Sequence, residues 1–143
     1  FLRGELYIQE PTSMLPVAAL WDHWAEAPSA QGAGTQPAVL ELCAAPGSKA
    51  TQLAALLGEE GMLVANESDP GRHRRLWAGL LRCGALRCVT TLADGRALGT
   101  LVPGRFDAVI ADVPCSCEGN IRKDAGAWDH LLPEKAEGFT EPL

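Results

Sequence analysis

The sequence predicts an α/β fold built on a mostly parallel sheet. Three observations predict it. Short apolar runs alternate with stretches of helical period. A Pro46-Gly47 turn joins the first apolar run to the first of those helical stretches. Glu41, Glu67, Asp94 and Asp112 fall at or just after the ends of four successive apolar runs. Strand–helix alternation of this kind implies parallel strands joined by right-handed crossovers. In a parallel sheet the strand ends line one edge, so four strands deliver one carboxylate each to the same rim. Open α/β sheets bind ligands at that rim.

In chain order, residues 1–10 form a short mixed segment in which Leu6, Tyr7 and Ile8 read as extended. Pro11 breaks it. Thr12 or Ser13 caps a helix whose apolar positions include Met14, Leu15, Ala18, Ala19 and Trp21, with Pro16 in a tolerated first-turn position. The run PSAQGAGTQP, residues 28–37, is a loop of small and breaker residues. Val39–Leu42 is the first strand. A helix follows from about Ser48 to Leu57, with Leu53, Leu56 and Leu57 as its apolar face and Gly58 at its end. Met62–Ala65 is the second strand and ends at Asn66 and Glu67. Asp69 caps the next helix, Pro70 takes its first position, and Leu76, Leu80 and Cys83 line one side up to Gly84. Cys88–Leu92 is the third strand, ending near Asp94. A loop then leads to the fourth strand, Phe106–Ala111, which ends at Asp112.

A length of 143 residues suits one domain, and 47% hydrophobic with 21% charged residues is ordinary for a chain that buries a core. The net charge of −6 argues against a protein that grips nucleic acid mainly through phosphates, so any such contact is local. Five cysteines, an odd number without a C-x-x-C pair, speak against a disulfide framework and for a reducing, cytoplasmic location. Cys83/Cys88 with Cys115/Cys117 lack usual zinc-ligand spacings, and no metal is expected. No segment has the length of a transmembrane helix or the flanks of a signal peptide. The chain opens on Phe1 and stops at Leu143 without a further strand, and is expected to be a fragment cut after the fourth strand. Residues 1–36 read as a helical lead-in and loop, and residues 37–143 as a partial ligand-binding domain.

The rim acids narrow the ligand. Glu67 stands 20 positions after Gly47, the usual place for an acceptor of ribose hydroxyls. Taken singly, Glu67 reads equally as a solvated loop acid, and Asp94, in Ala93-Asp94-Gly95-Arg96, as a turn residue. Together they point to a nucleoside-containing cofactor. The loop has no G-x-G-x-x-G and is no P-loop, since Gly47-Ser48-Lys49 is not Gly-Lys-Ser/Thr. A cofactor with little phosphate fits better. S-adenosylmethionine carries adenine, ribose and a cationic amino-acid tail, and acidic rims suit its positive charges.

The stretch Asp112-Val113-Pro114-Cys115-Ser116-Cys117-Glu118-Gly119 sets a thiol beyond a rim aspartate, where substrate meets cofactor. Thiolate is the strong nucleophile among side chains. Carbon 5 of a pyrimidine attacks an electrophile only after a nucleophile has added at carbon 6. Cys115 therefore reads as a reactive thiol rather than a small buried residue.

Four motifs now stand in order. They are Tyr7-Ile8-Gln9-Glu10 with Ser13-Met14-Leu15-Pro16, Cys43-Ala44-Ala45-Pro46-Gly47-Ser48-Lys49, Asn66-Glu67 with Arg72, and Asp112-Val113-Pro114-Cys115 with Glu118-Gly119 and Arg122-Lys123-Asp124. With these the sequence resembles the RNA cytosine-C5 methyltransferases of the Nol/Nop/Sun group, and in particular the bacterial small-subunit rRNA methyltransferase F type. The resemblance implies a class I S-adenosylmethionine-dependent methyltransferase, a Rossmann-like parallel sheet. It implies that Cys43, Ala44, Ala45, Pro46, Gly47, Ser48 and Lys49 form the cofactor loop. It further implies that Glu67 binds the ribose, that Asp94 lies on the adenine side and that Asp112 is the active-site acid. By the family pattern Cys115 assists release of the methylated base. The attacking cysteine belongs to a Thr-Cys motif that this chain does not contain. The chain alone is thus expected to be inactive, or a non-catalytic cofactor- or RNA-binding remnant. RNA, in such a family rRNA, is the implied partner, and no membrane is. No oligomeric state is implied. Arg122 and Lys123 suit an RNA phosphate, or are an ordinary solvated pair. Glu41 stands where aspartate is common, Val113 where alanine is usual and Cys117 where glycine is usual.

Overall fold

Among the described residues, four parallel strands, β1 (Ala38–Glu41), β2 (Met62–Glu67), β3 (Cys88–Leu92) and β4 (Ala108–Ile110), lie side by side in the order β3-β2-β1-β4. The computed structural model describes residues 3–26 and 37–114. Contacts divide the chain into two units, Phe1–Asp112 and Val113–Leu143, and the elements below belong to the first. In chain order they are α1 (Pro11–Glu26), β1 (Ala38–Glu41), α2 (Ser48–Leu57), β2 (Met62–Glu67), α3 (Pro70–Arg82), β3 (Cys88–Leu92), α4 (Gly95–Leu101) and β4 (Ala108–Ile110).

Strand register fixes the two faces. Val39 pairs with Leu63 and Ala108, and Leu63 pairs with Cys88. This row faces α2 and α3, and around it Val39, Ala50, Leu53, Leu63, Ala65 and Leu76 are almost wholly buried. Each large aliphatic side chain so buried contributes roughly 1.5–3 kcal/mol. The next row, Val109, Leu40, Val64 and Val89, points to the other face. There Leu98 of α4 is buried and, with Leu40, Leu42, Val102, Phe106 and Val109, lines a cavity. The chain leaves β3 at one edge and enters β4 at the other. A right-handed crossover of that span puts α4 opposite α2 and α3. The strand order reverses between β1 and β4, so the crevice at their carboxyl ends is a topological switch point.

Several sequence expectations need correction. Pro11 ends the first segment and itself opens α1, so Thr12 and Ser13 are not its caps but lie inside the helix, the Ser13 hydroxyl and N–H both donating to the Glu10 carbonyl. Pro16 sits in the second turn of α1, not the first. The buried stripe of α1 is Val17 with Leu20, Trp21 and Trp24 packed against the core, while Met14 and Leu15 are exposed. That rotation follows from docking on α2, where the Ser13 and Ser48 hydroxyls bond at 2.8 Å. In α2 the inward stripe is Ala50, Leu53 and Leu57, and Leu56 faces out. The segment between β3 and β4, expected as a loop, contains α4. Strand β2 runs on to Glu67, and β4 is confined to Ala108–Ile110.

Candidate functional site

The carboxyl ends of the strands, together with the start of α2, form the site. The turn after β1 reaches α2 through Gly47, whose φ of 113° places it where side-chain-bearing residues are strained. A Cβ there would also lie 3.4 Å from Leu76 Cδ1. Gly47 caps α2 without a side-chain acceptor, and no acid stands in the first turn. The first N–H groups of α2 therefore have no intrahelical partner, and an anion-tolerant polar cradle results. The Ala45–Pro46 peptide bond is cis.

Three neighbours hold this loop from behind. The Arg72 guanidinium donates to the Ala45 carbonyl at 2.7 Å. The Ala44 N–H donates to the Asn66 carbonyl at 2.8 Å. Gln9 Nε2 donates to the Ser48 carbonyl at 2.8 Å. The buried Asn66 side chain joins the strand ends to one another. Its amide donates to the Leu42 and Ala93 carbonyls, and its oxygen accepts from the Thr91 hydroxyl at 2.7 Å.

Glu67, the last residue of β2, is 3% exposed. One carboxylate oxygen, Oε1, accepts from the Ser68 and Asp69 N–H groups at 2.9 and 3.1 Å. The other, Oε2, lies 3.4 Å from Arg72 Nε and accepts no hydrogen bond. A buried carboxylate oxygen in that condition has capacity for a hydroxyl donor. Near it the Cys43 thiol is half-buried, and burial first, then the Glu67 carboxylate, push its pKa up, which keeps it a neutral thiol.

At the switch point, Lys49 of α2 pairs with Asp112 beyond β4. Lys49 is mostly buried and Asp112 mostly exposed. Glu41, the last residue of β1, is 1% exposed, and its Oε2 has no hydrogen-bond partner. Burial raises its pKa to about 8, Lys49 works against that rise, and Asp112 adds to it. Asp94 stands apart. It caps α4 by accepting from the Arg96 N–H at 2.9 Å and forms a two-pronged pair with the Arg96 side chain. Those bonds, the side-chain one first, lower its pKa.

The structure thus brings Cys43, Ala44, Ala45, Pro46, Gly47, Ser48, Lys49, Glu67 and Asp112 to one edge. It gives Asp94 a local capping role at the same edge. Cys115, Arg122 and Lys123 lie outside the described residues. Sequence reasoning put Glu41 on the rim but gave no task to it, nor to Asn66 or Arg72. The strand-end position of Glu41, four carboxylates against one loop lysine, was the available signal for the first. Among the described residues, no group of three His, Cys, Asp or Glu side chains is placed to hold a metal, and no helix is long and apolar enough to cross a membrane.

Comparison with known proteins places this architecture. The small subunit rRNA methyltransferase F of Serratia proteamaculans is 45% identical over 140 residues, which is 98% of this chain and 27% of that relative's length. The chain therefore spans about a quarter of the length of such relatives. Among solved structures, NSun6 from Pyrococcus horikoshii with SFG matches with a TM-score of 0.65 and 25% identity, covering 81% of this chain and 27% of its own. An S-adenosylmethionine-dependent O-methyltransferase from Thermotoga maritima, 18% identical, matches with a TM-score of 0.56 over 77% of this chain and 37% of its own, which shows the shared fold. The fold is that of the S-adenosylmethionine-dependent methyltransferases. The family model for the 16S rRNA methyltransferase RsmB/F matches residues 32–131, and the chain belongs to that family.

Proposed function

We propose that this chain is the cofactor-binding part of an enzyme that methylates carbon 5 of a cytosine in small-subunit rRNA, in the cytoplasm, with S-adenosylmethionine. One observation carries the reading. Glu67 is buried at the end of β2, with one oxygen fixed by two backbone N–H groups and the other without a hydrogen bond. That oxygen suits a ribose hydroxyl, and the orphan N–H groups of α2 belong to the same sheet edge.

The residues present fit S-adenosylmethionine by their chemistry. Cys43–Lys49 would cradle its amino-acid end, Glu67 the ribose, and Asp94 the adenine side. S-adenosylmethionine, when bound, supplies an electrophilic methyl group. Asp112, fixed by Lys49, would orient the base at that methyl. Cys115 would assist release of the product, when the carbon 5 proton leaves and the bond between carbon 6 and the attacking sulfur breaks. Arg122 and Lys123 would meet RNA phosphate.

Bisulfite sequencing of small-subunit rRNA, from cells with the gene intact or disrupted, tests the reaction. The proposal expects one cytosine protected from conversion only when the gene is intact. An unchanged conversion pattern refutes it. Replacement of Cys115 in the intact gene with the protected cytosine still formed and released at the same rate refutes its assigned role.

A further inference from the structure

Helix α3 concentrates positive charge in a chain that is otherwise acidic. Pro70–Arg82 contains Arg72, Arg74, Arg75 and Arg82 and no acid, in a chain of net charge −6. Arg72 is occupied inwardly by the Ala45 carbonyl and Glu67, and Arg82 stands over the Tyr7 ring. The inner stripe of Leu76, Gly79 and Leu80 is buried. On the outer side Arg74 and Arg75 are exposed, as are Trp77, at 54%, and Leu81. Arg74, Trp77 and Leu81 have the i, i+3, i+7 spacing of one helical face. The ion pairs found among the described residues, Lys49–Asp112, Arg72–Glu67 and Arg96–Asp94, do not include Arg74 or Arg75.

A tryptophan that stands half out beside Arg74, with Arg75 further round the same outer side and neither arginine in an ion pair among the described residues, suits one kind of occupant. Unpaired bases stack on aromatic faces, and arginine holds the flanking phosphates. Charge complementarity selects the anion: the helix is wholly basic, whereas a second copy of the chain offers the same basic face. Position supports it as well. α3 begins three residues beyond Glu67, and a rise of ~1.5 Å per residue puts Trp77 roughly 10 Å along the helix from the site's edge. We infer that the outer face of α3 is a second RNA-contact surface, with Trp77 stacking on an unpaired base and Arg74 and Arg75 taking phosphates. This rests on the reading that the chain acts on RNA.

Fluorescence anisotropy of a labelled single-stranded oligoribonucleotide with the full chain tests it. Arg74→Gln with Arg75→Gln should lower the slope of log affinity against log salt by about 1.4. Trp77→Ala should weaken binding about ten-fold, and Trp77→Phe should restore most of that. RNA should quench tryptophan fluorescence in the wild type and less so in Trp77→Phe. S-adenosylmethionine affinity should stay the same in every variant. RNA binding by the wild type that none of these substitutions alters overturns the α3 surface and leaves the RNA reading standing. No RNA binding by the wild type overturns both. Loss of a dimer in sedimentation, with RNA affinity unchanged, gives the face to a second copy and overturns the inference.

Discussion

Arg72 ties Glu67 to the loop that precedes α2: its guanidinium bonds the Ala45 carbonyl at 2.7 Å while its Nε lies 3.4 Å from Glu67 Oε2. One side chain from α3 thereby sets both the loop backbone and the carboxylate that faces it. Its loss should be felt at both. Arg72→Met should cost about 1–2 kcal/mol in urea denaturation, since a hydrogen bond to a charged donor is worth roughly 1.5–3 kcal/mol and this arginine is partly exposed. Full stability in Arg72→Met would show that the loop is held by its other contacts.

Asn66 makes three side-chain hydrogen bonds that link the ends of β1, β2 and β3. Asn66→Leu keeps the branched side-chain skeleton and removes all three, leaving the Leu42 and Ala93 carbonyls and the Thr91 hydroxyl without that partner. A loss of about 3 kcal/mol is expected, from roughly 1–3 kcal/mol per buried unsatisfied group with some relief by water. Equilibrium denaturation measures it, and a change below about 1 kcal/mol would contradict it.

Gly47 carries the turn into α2 at φ 113°. Gly47→Ala should cost about 1–3 kcal/mol through backbone strain, and Leu76 stands at 3.4 Å from the added carbon. Thermal melting reads this directly. An unchanged melting temperature would mean that the turn adopts another conformation.

Glu41 makes stability depend on pH. Its folded pKa of about 8 lies above the ordinary carboxylate value of 4.5. The folded state therefore holds a proton that the unfolded state has released between those values. The contribution is complete below about 4.5 and is lost as pH rises towards 8, on the order of 5 kcal/mol in all. Glu41→Gln should flatten stability across that window and leave the acid side alone. A wild-type profile as flat as that of Glu41→Gln would show that Glu41 is ionised in the folded protein.

How far the sequence told this depends on what each feature needs. β1, α2 and β3 were legible because short apolar runs and helical spacing are local signals. Asp69 and Pro70 announced α3 because capping chemistry is local too. α4 was not legible: Gly-Arg-Ala-Leu-Gly-Thr-Leu is seven residues with two glycines, and burial of Leu98 against the sheet sustains it. Leu56 and Met14 were misjudged because apolarity does not say which side of a helix meets the sheet. The positions of Glu41, Glu67 and Asp112 at one edge followed from strand alternation. The burial of Glu41 and the bridge made by Arg72 required the fold, since both depend on residues from other strands and helices.

The central claim is that this edge binds S-adenosylmethionine through Glu67. Isothermal titration calorimetry of the chain with S-adenosylmethionine, compared with Glu67→Gln, tests it most directly. The substitution preserves Oε1 and its two backbone donors while removing the charge and the second acceptor. The account predicts saturable heat for the wild type and an affinity weakened about ten- to a hundred-fold in Glu67→Gln, with the melting temperature little changed. No heat in the wild type, or the same affinity in both, would contradict it.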